Sequence, residues 1–139
     1  MASDARVLLI DDDVDFRDST RALLEAEGYS VSEATTGRQG LESILSLRPD
    51  VIVVDIMMET LEEGYGVTQA IKYRDEYRDF HDVPIIMVSS IQETPDERFP
   101  MAGEVDMIRP DRYLTKPLDV PRFLDLIERV TRGRRASRV

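Results

Sequence analysis

The sequence of 139 residues contains no cysteine and a single histidine. Without cysteine the chain cannot form disulfides, thiolate zinc sites or a thiol nucleophile, and His81 alone cannot build a histidine metal cluster. No apolar run approaches the roughly 20 residues of a membrane span, and the N-terminus MASDAR lacks the pattern of a secretion signal. These absences predict a soluble, cytoplasmic protein, and the length predicts a single domain.

Positive charge is also scarce, because 18 Lys and Arg residues face 28 Asp and Glu residues and leave a formal net charge of −10. The last eight residues, RGRRASRV, nevertheless carry four arginines and no acid. An acidic body repels nucleic acid, so we expect no nucleic-acid binding by this domain. We predict a domain over residues 1–131 and a disordered basic tail over 132–139.

Short apolar or β-rich runs alternate with helix-like segments along the chain. VIVV (51–54) is uniformly apolar, as is typical of a central parallel strand covered on both faces. The alternation predicts an α/β fold, a doubly wound parallel sheet with helices on both faces and strands one and three side by side. The five predicted strands lie within residues 7–10, 29–34, 51–54, 85–88 and 113–115.

Local signals predict where several helices begin and end. Asp13 is suited to cap the first helix, and Gly28 to end it with a left-handed residue. Residues 56–65 (IMMETLEEGY) read as an acidic loop, and the helix that follows is expected to run to about Phe80. Three prolines and a glycine interrupt any long helix in 91–111.

Residues suited to phosphoryl chemistry end four of the apolar runs. Asp11 and Asp12 follow the first run, Asp55 the third, Ser89 the fourth and Lys116 the fifth. The carboxyl ends of parallel strands share one crevice, so these groups should converge there. Three close carboxylates repel one another, and an oxygen-only set selects a hard cation such as Mg²⁺.

In these motifs the sequence resembles the receiver domain of bacterial two-component response regulators, over about residues 5–131. The motifs, in the family's order, are VLLIDDDVDF, PDVIVVDIMM, PIIMVSS and DRYLTKP. The resemblance implies the flavodoxin-like strand order 2-1-3-4-5. It also implies a signalling protein that catalyses only its own phosphorylation and dephosphorylation.

The resemblance implies a role for each site residue. Asp55 would be the phosphoacceptor, a carboxylate that attacks phosphorus. Mg²⁺ would be held by Asp12, by Asp11 mainly through a bound water, by Asp55 and by the backbone carbonyl of Met57. Lys116 would neutralise charge on the phosphoryl group in the transition state.

The same resemblance implies a conformational switch and a set of partners. Ser89 would hydrogen-bond the phosphoryl group and Tyr113 would rotate inward, while a cis bond is expected before Pro117. A sensor histidine kinase or a histidine phosphotransfer protein would donate the phosphoryl group. A changed surface would then bind a downstream protein or a second copy of the chain.

The sequence departs from the family pattern beside Asp55. Glu59 replaces the usual proline, and the matching glycine, Gly64 or Gly66, comes a few residues late. The positions two beyond Asp55 and Ser89 are the bulky Met57 and Ile91, which should hinder the hydrolytic water. We therefore predict slow autodephosphorylation.

A haloacid dehalogenase-type phosphatase is an alternative interpretation, because VLLIDDDV also fits the signature of that family. Asp11 would then be the nucleophile, Asp13 the general acid/base, and Ser89 and Lys116 phosphate ligands. Asp55 would have no role, and the downstream acidic pair that this family needs is hard to find.

A receiver that signals by binding alone, without phosphate, is a further alternative. Its usual mark is the loss of an acidic or lysine position, and none is lost here.

Overall fold

Five strands form one parallel sheet in the computed structural model, which describes residues 5–55, 61–89, 112–116 and 118–137. Their order is β2-β1-β3-β4-β5, with every pairing parallel. The predicted doubly wound sheet is therefore confirmed, and the first and third strands are neighbours. The strands are β1 (Arg6–Ile10), β2 (Ser30–Ala34), β3 (Val51–Asp55), β4 (Ile85–Ser89) and β5 (Arg112–Thr115).

Helices cover both faces of this sheet, as predicted. Alternate strand residues point to opposite faces, so the uniformly apolar strands feed two separate core clusters. One cluster packs against α2 and α3, the other against α1 and the C-terminal helix. None of the helices within the described residues is long and apolar enough to cross a membrane. The helices are α1 (Val14–Ala26), α2 (Gly37–Leu47), α3 (Leu61–Tyr73), a 3₁₀ helix (Asp75–Phe80) and the C-terminal helix (Val120–Ser137).

The ends of α1 follow the sequence signals. The Asp13 carboxylate accepts hydrogen bonds from the backbone N–H groups of Asp15 and Phe16, at 3.0 and 3.3 Å. These bonds satisfy two of the amide donors that a helix start leaves open. Gly28, two residues beyond the helix, has φ 92°, which a residue with Cβ adopts only under strain. Both predictions are confirmed.

The third helix differs from its prediction at both ends. The predicted loop over 56–65 is wrong for its second half, because α3 already begins at Leu61. Residues 56–60 lie outside the described residues.

The chain then leaves the α-helix at Arg74, whose backbone is extended, and continues as the 3₁₀ helix. The prediction of one helix to Phe80 is therefore wrong. The break buries both Tyr77 and Phe80, and the Tyr77 hydroxyl donates to the Leu41 carbonyl at 3.3 Å. Burial of two aromatic side chains outweighs the continuation of a regular helix.

The C-terminal helix extends farther than predicted. It continues to Ser137 and so includes most of the segment 132–139, for which the sequence predicts a tail. Arginine is a good helix former, and cations are favourable near a helix C-terminus. Arg129 and Arg132 form ion pairs with acidic residues four positions earlier. The segment 91–111, predicted to be broken by proline, lies outside the described residues.

A close approach between α2 and β1 fixes the strand that leads into the predicted site. A Cβ atom added at Gly40 would lie 2.3 Å from Cδ1 and 2.9 Å from Cγ1 of Ile10. Ile10 is fully buried and directly precedes Asp11. Gly40 is therefore needed for packing, whereas Gly66 in α3 has open space where its Cβ would be.

We predict opposite effects for the same substitution at these two glycines. Alanine in a helix gains about 1 kcal/mol over glycine, so Gly66→Ala should raise the free energy of unfolding by about that amount. Gly40→Ala gains the same helix propensity but overpacks a core, which costs about 1–3 kcal/mol. It should therefore lower stability or leave it unimproved. Urea unfolding of both variants measures the difference, and equal stabilisation would contradict the packing argument.

Candidate functional site

Two buried carboxylates lie at the ends of neighbouring strands. Asp55 is the last residue of β3, and Asp11 directly follows β1. Their exposed fractions are 5% and 1%, whereas Asp12 is exposed. One carboxylate oxygen from each of the three residues lies within 4.8 Å of the others. The predicted convergence of the three acids is therefore present in the structure.

Lys116 supplies the positive charge at this cluster. Its ammonium lies 2.9 Å from Asp11 Oδ2 and 3.8 Å from Asp55 Oδ2. The same Nζ lies 4.2 Å from the centre of the Phe16 ring, within the range of a cation–π interaction. Only 17% of the Lys116 side chain is exposed. The ammonium is thus shared between two carboxylates and held against an aromatic face.

Asp11 is held through both its backbone and its side chain. Its N–H donates to the Ala34 carbonyl at 3.1 Å, and its own carbonyl accepts from Arg17 Nη1 at 2.6 Å. Oδ1 accepts from the Asp13 N–H at 2.9 Å, and Oδ2 from Lys116. These contacts leave the carboxylate little freedom to rotate. The position of Asp11 is therefore set before any ligand binds.

The donor set suits a hard divalent cation. Three carboxylates offer only oxygen ligands, the type that Mg²⁺ prefers. Two of the three are buried, where their mutual repulsion is screened least. The cluster could therefore hold a metal ion.

The remaining predicted site residues are described only in part. Ser89 is the last residue of β4 and pairs in register with Thr115, the residue before Lys116. Tyr113 lies in β5 opposite Met87. The side chains of Ser89 and Tyr113, and the whole of Met57 and Pro117, lie outside the described part of the chain. Their predicted roles remain predictions, as does slow autodephosphorylation.

The structure also shows contacts that the sequence did not reveal. Arg17 Nε donates to Glu33 Oε1 at 3.0 Å, and Arg21 Nη1 donates to Glu33 Oε2 at 2.5 Å. Burial raises the pKa of the Glu33 carboxyl, but hydrogen bonds from Arg21 and Arg17 outweigh that effect and lower it below its ordinary value. The sequence offered one signal for Arg17, because it is an arginine in an otherwise acidic segment. No rule of residue spacing predicts that it pairs with Glu33.

The surroundings of Asp13 disfavour the phosphatase interpretation. Its carboxylate caps α1, so it is already engaged where that interpretation needs a general acid/base. Of the downstream acids, Asp119 accepts the Arg122 N–H and Asp125 pairs with Arg129. Asp55, which would have no role in a phosphatase, instead lies beside Lys116.

Comparison with known proteins decides the family. The family model described as "response regulator receiver domain" matches residues 7–128. The chain belongs to this family. The match confirms the resemblance drawn from the four motifs, and the receiver domain is a part of two-component signal transduction.

Individual relatives agree with this assignment. The transcriptional regulatory protein CseB of Streptomyces coelicolor is 34% identical over 119 residues, which are 86% of this chain and 46% of CseB. The polar-differentiation response regulator DivK of Brucella anthropi is 33% identical over 111 residues, 78% of this chain and 80% of DivK. The chain spans about half the length of CseB but most of DivK.

Solved structures show the same fold. The chemotaxis response regulator CheY4 of Vibrio cholerae superposes with a TM-score of 0.74 at 26% identity, covering 92% of this chain and 99% of CheY4. A CheY-like receiver domain protein from Methanospirillum hungatei has a TM-score of 0.76 at 26% identity, covering 97% and 99%. The described residues therefore have the fold of these receiver proteins.

We predict that Lys116→Met destabilises the receiver domain in the absence of divalent cations. Removing one partner of a buried ion pair leaves an uncompensated charge, at a cost of about 3–5 kcal/mol. Added Mg²⁺ should stabilise this variant more than the wild type, because the cation no longer competes with the ammonium for Asp11. Thermal unfolding with and without Mg²⁺ measures both effects.

Lys72→Met is the control, because the Lys72 ammonium donates to the carbonyls of His81 and Val83 rather than to the acidic cluster. Its stability should respond to Mg²⁺ as the wild type does. An equal response of Lys116→Met and wild type would contradict the competition.

We predict that Glu33 makes stability depend on pH in acid. Its folded-state pKa is lowered, so its contribution is present above the ordinary value of 4.5 and is lost as the pH falls through the folded-state pKa. Glu33→Gln should therefore be less stable than wild type near neutral pH, and the difference should shrink in acid. Urea unfolding across this range measures it.

Glu25→Gln is the control, because Glu25 pairs with Arg21 through a half-exposed side chain. Exposed pairs contribute little, so this variant should stay close to the wild type. A stability difference for Glu33→Gln that is the same at every pH would rule out the ionic contribution.

Proposed function

We propose that the domain accepts a phosphoryl group on Asp55 from a phosphohistidine, in a Mg²⁺-dependent step. The observation that carries this proposal is the buried Asp55 carboxylate beside Lys116, with Asp11 and Asp12 within ligand distance. A nucleophile, a cationic partner and a potential metal site meet in one crevice.

The transfer is a displacement at phosphorus. An Asp55 carboxylate oxygen forms the new O–P bond while the N–P bond of the phosphohistidine breaks. The bonding electron pair leaves with the imidazole nitrogen, which takes a proton from solvent. Asp55 is suited to this role because neighbouring contacts hold it at a strand end, so little orientation has to be gained on binding.

The charged neighbours of Asp55 have distinct tasks in this proposal. Asp11, Asp12 and Asp55 would hold Mg²⁺, with the Met57 carbonyl as a further ligand by resemblance to the family. Bound Mg²⁺ would supply positive charge that neutralises and orients phosphoryl oxygens. The Lys116 ammonium lies 3.8 Å from Asp55 Oδ2 and would neutralise the negative charge that increases there in the transition state.

The output would be a changed protein surface. Ser89 would donate to a phosphoryl oxygen and Tyr113 would move inward, so a new dianion would bias a two-state surface near β4 and β5. The expected donor is a sensor histidine kinase or a histidine phosphotransfer protein. The partner expected to bind the changed surface is a downstream protein or a second copy of the chain. The domain would act in the cytoplasm and would not itself contact nucleic acid.

Phosphorylation by acetyl phosphate tests the proposal. Wild-type protein with Mg²⁺ should gain the mass of one phosphoryl group, and Asp55→Asn should gain none. Chelation of Mg²⁺ should slow the wild-type reaction by at least about tenfold, since the metal supplies several kcal/mol of charge stabilisation. Intact-protein mass spectrometry over time measures all three.

The same experiment separates the alternatives. A phosphatase would keep its covalent intermediate in Asp55→Asn and lose it in Asp11→Asn. A phosphate-independent binding module would gain no mass in any variant. Either result would overturn the proposed function.

A further inference from the structure

Arg17 bridges the predicted metal site and the neighbouring strand. One end of its guanidinium donates to the Asp11 carbonyl at 2.6 Å, and Nε donates to Glu33 Oε1 at 3.0 Å. Only 12% of the Arg17 side chain is exposed, and 21% of that of Glu33. The charges of Arg17 and Glu33 are thus partly removed from water. An ionic contact is screened less in such a partly buried position than in water.

Glu33 balances this arginine from outside the site. Glu33 lies in β2 and pairs in register with Leu9 of β1. Leu9 is two residues before Asp11 in the chain. The second carboxylate oxygen of Glu33 accepts from Arg21, which also pairs with Glu25 at 3.1 Å. Arg17 touches the backbone of Asp11, whereas Lys116 touches its carboxylate.

Loss of the Glu33 charge would act on the site in two ways. Arg17 would become an uncompensated positive charge at the backbone of Asp11. It would repel a divalent cation bound by the Asp11 and Asp12 carboxylates. It would also be free to turn from the Asp11 carbonyl toward the carboxylates, which loosens the loop that presents Asp11 and Asp12. Both effects weaken divalent-cation binding.

We propose that Glu33, acting through Arg17, is a positioning residue that sets the divalent-cation affinity of the Asp11–Asp12 pair. The proposal rests on the proposed function, in which these residues hold Mg²⁺. The contact with Glu33 keeps the Arg17 guanidinium away from the carboxylates of the site. In the same position the guanidinium donates to the Asp11 carbonyl and holds the backbone there. Outer contacts of this kind typically change metal affinity by about 10–100-fold when removed.

Calorimetric titration of the full chain with Mg²⁺ tests the proposal without phosphorylation. Glu33→Gln keeps the size and one acceptor of the side chain but removes its charge, and should weaken binding by about tenfold, the low end of the range for outer contacts. Glu25→Gln is the matched control, because it removes the other carboxylate of Arg21 and touches neither Arg17 nor Asp11. It should bind Mg²⁺ within about twofold of the wild type, since exposed pairs have small effects.

A double variant shows whether the effect passes through Arg17. In the Arg17→Met background, Glu33→Gln should change the Mg²⁺ dissociation constant by less than about twofold, because no guanidinium remains to be released. A merely structural role of Glu33 would lower the unfolding midpoint and leave the dissociation constant of the folded protein unchanged. Thermal unfolding of each variant confirms that folded protein is titrated.

The outcomes distinguish this inference from the proposed function. If wild type binds Mg²⁺ and Glu33→Gln binds it equally well, the positioning role is overturned and the proposed function stands. If Glu33→Gln weakens binding equally with and without Arg17, the route through Arg17 is overturned. If wild type binds no Mg²⁺, both the proposed metal site and this inference are overturned.

Discussion

The charge balance of two buried carboxylates is the constraint on which the rest of the site depends. Asp11 and Asp55 are almost inaccessible to solvent, and burying such groups is costly unless a cation lies beside them. One ammonium, that of Lys116, reaches both. Lys116 directly follows the carboxyl end of β5, so β1, β3 and β5 must have their carboxyl ends at the same edge of the sheet. The parallel order of the strands is therefore a requirement of this charge balance as well as of the core.

The core holds these strand ends in place. The Ile10 side chain packs so closely against Gly40 that a Cβ atom on Gly40 would have no room. Asp11 is the residue after Ile10. Asp55 continues a strand in which every residue is buried. A densely packed interior transmits small shifts instead of absorbing them, so the separation of the two carboxylates depends on the packing of the strands that carry them. Contacts on the backbone of Asp11 complete this arrangement.

Much of this was predictable from the sequence, because two strong rules apply. Uniformly apolar runs alternating with helices indicate a parallel sheet, and residues at the ends of its strands must share one crevice. Asp11, Asp55 and Lys116 therefore met as predicted. Contacts such as Arg17 with Glu33 follow no sequence period, because they depend on how a helix lies across a neighbouring strand. The end of the α-helix at Arg74 could likewise not be predicted from the sequence, because burial of Tyr77 and Phe80 overrides local helix preference.

The two cations of the site, Arg17 and Lys116, are held by different contacts. Arg17 is fixed by Glu33 and by the Asp11 carbonyl, so its charge stays in one place. Lys116 is shared unequally, 2.9 Å from Asp11 and 3.8 Å from Asp55. A group shared in this way can turn wholly to Asp55 once Asp11 takes another partner. In the proposed function, a phosphoryl group on Asp55 would add negative charge, and a cation able to turn toward Asp55 would neutralise it. A fixed cation is better suited to holding the loop that carries Asp11 and Asp12.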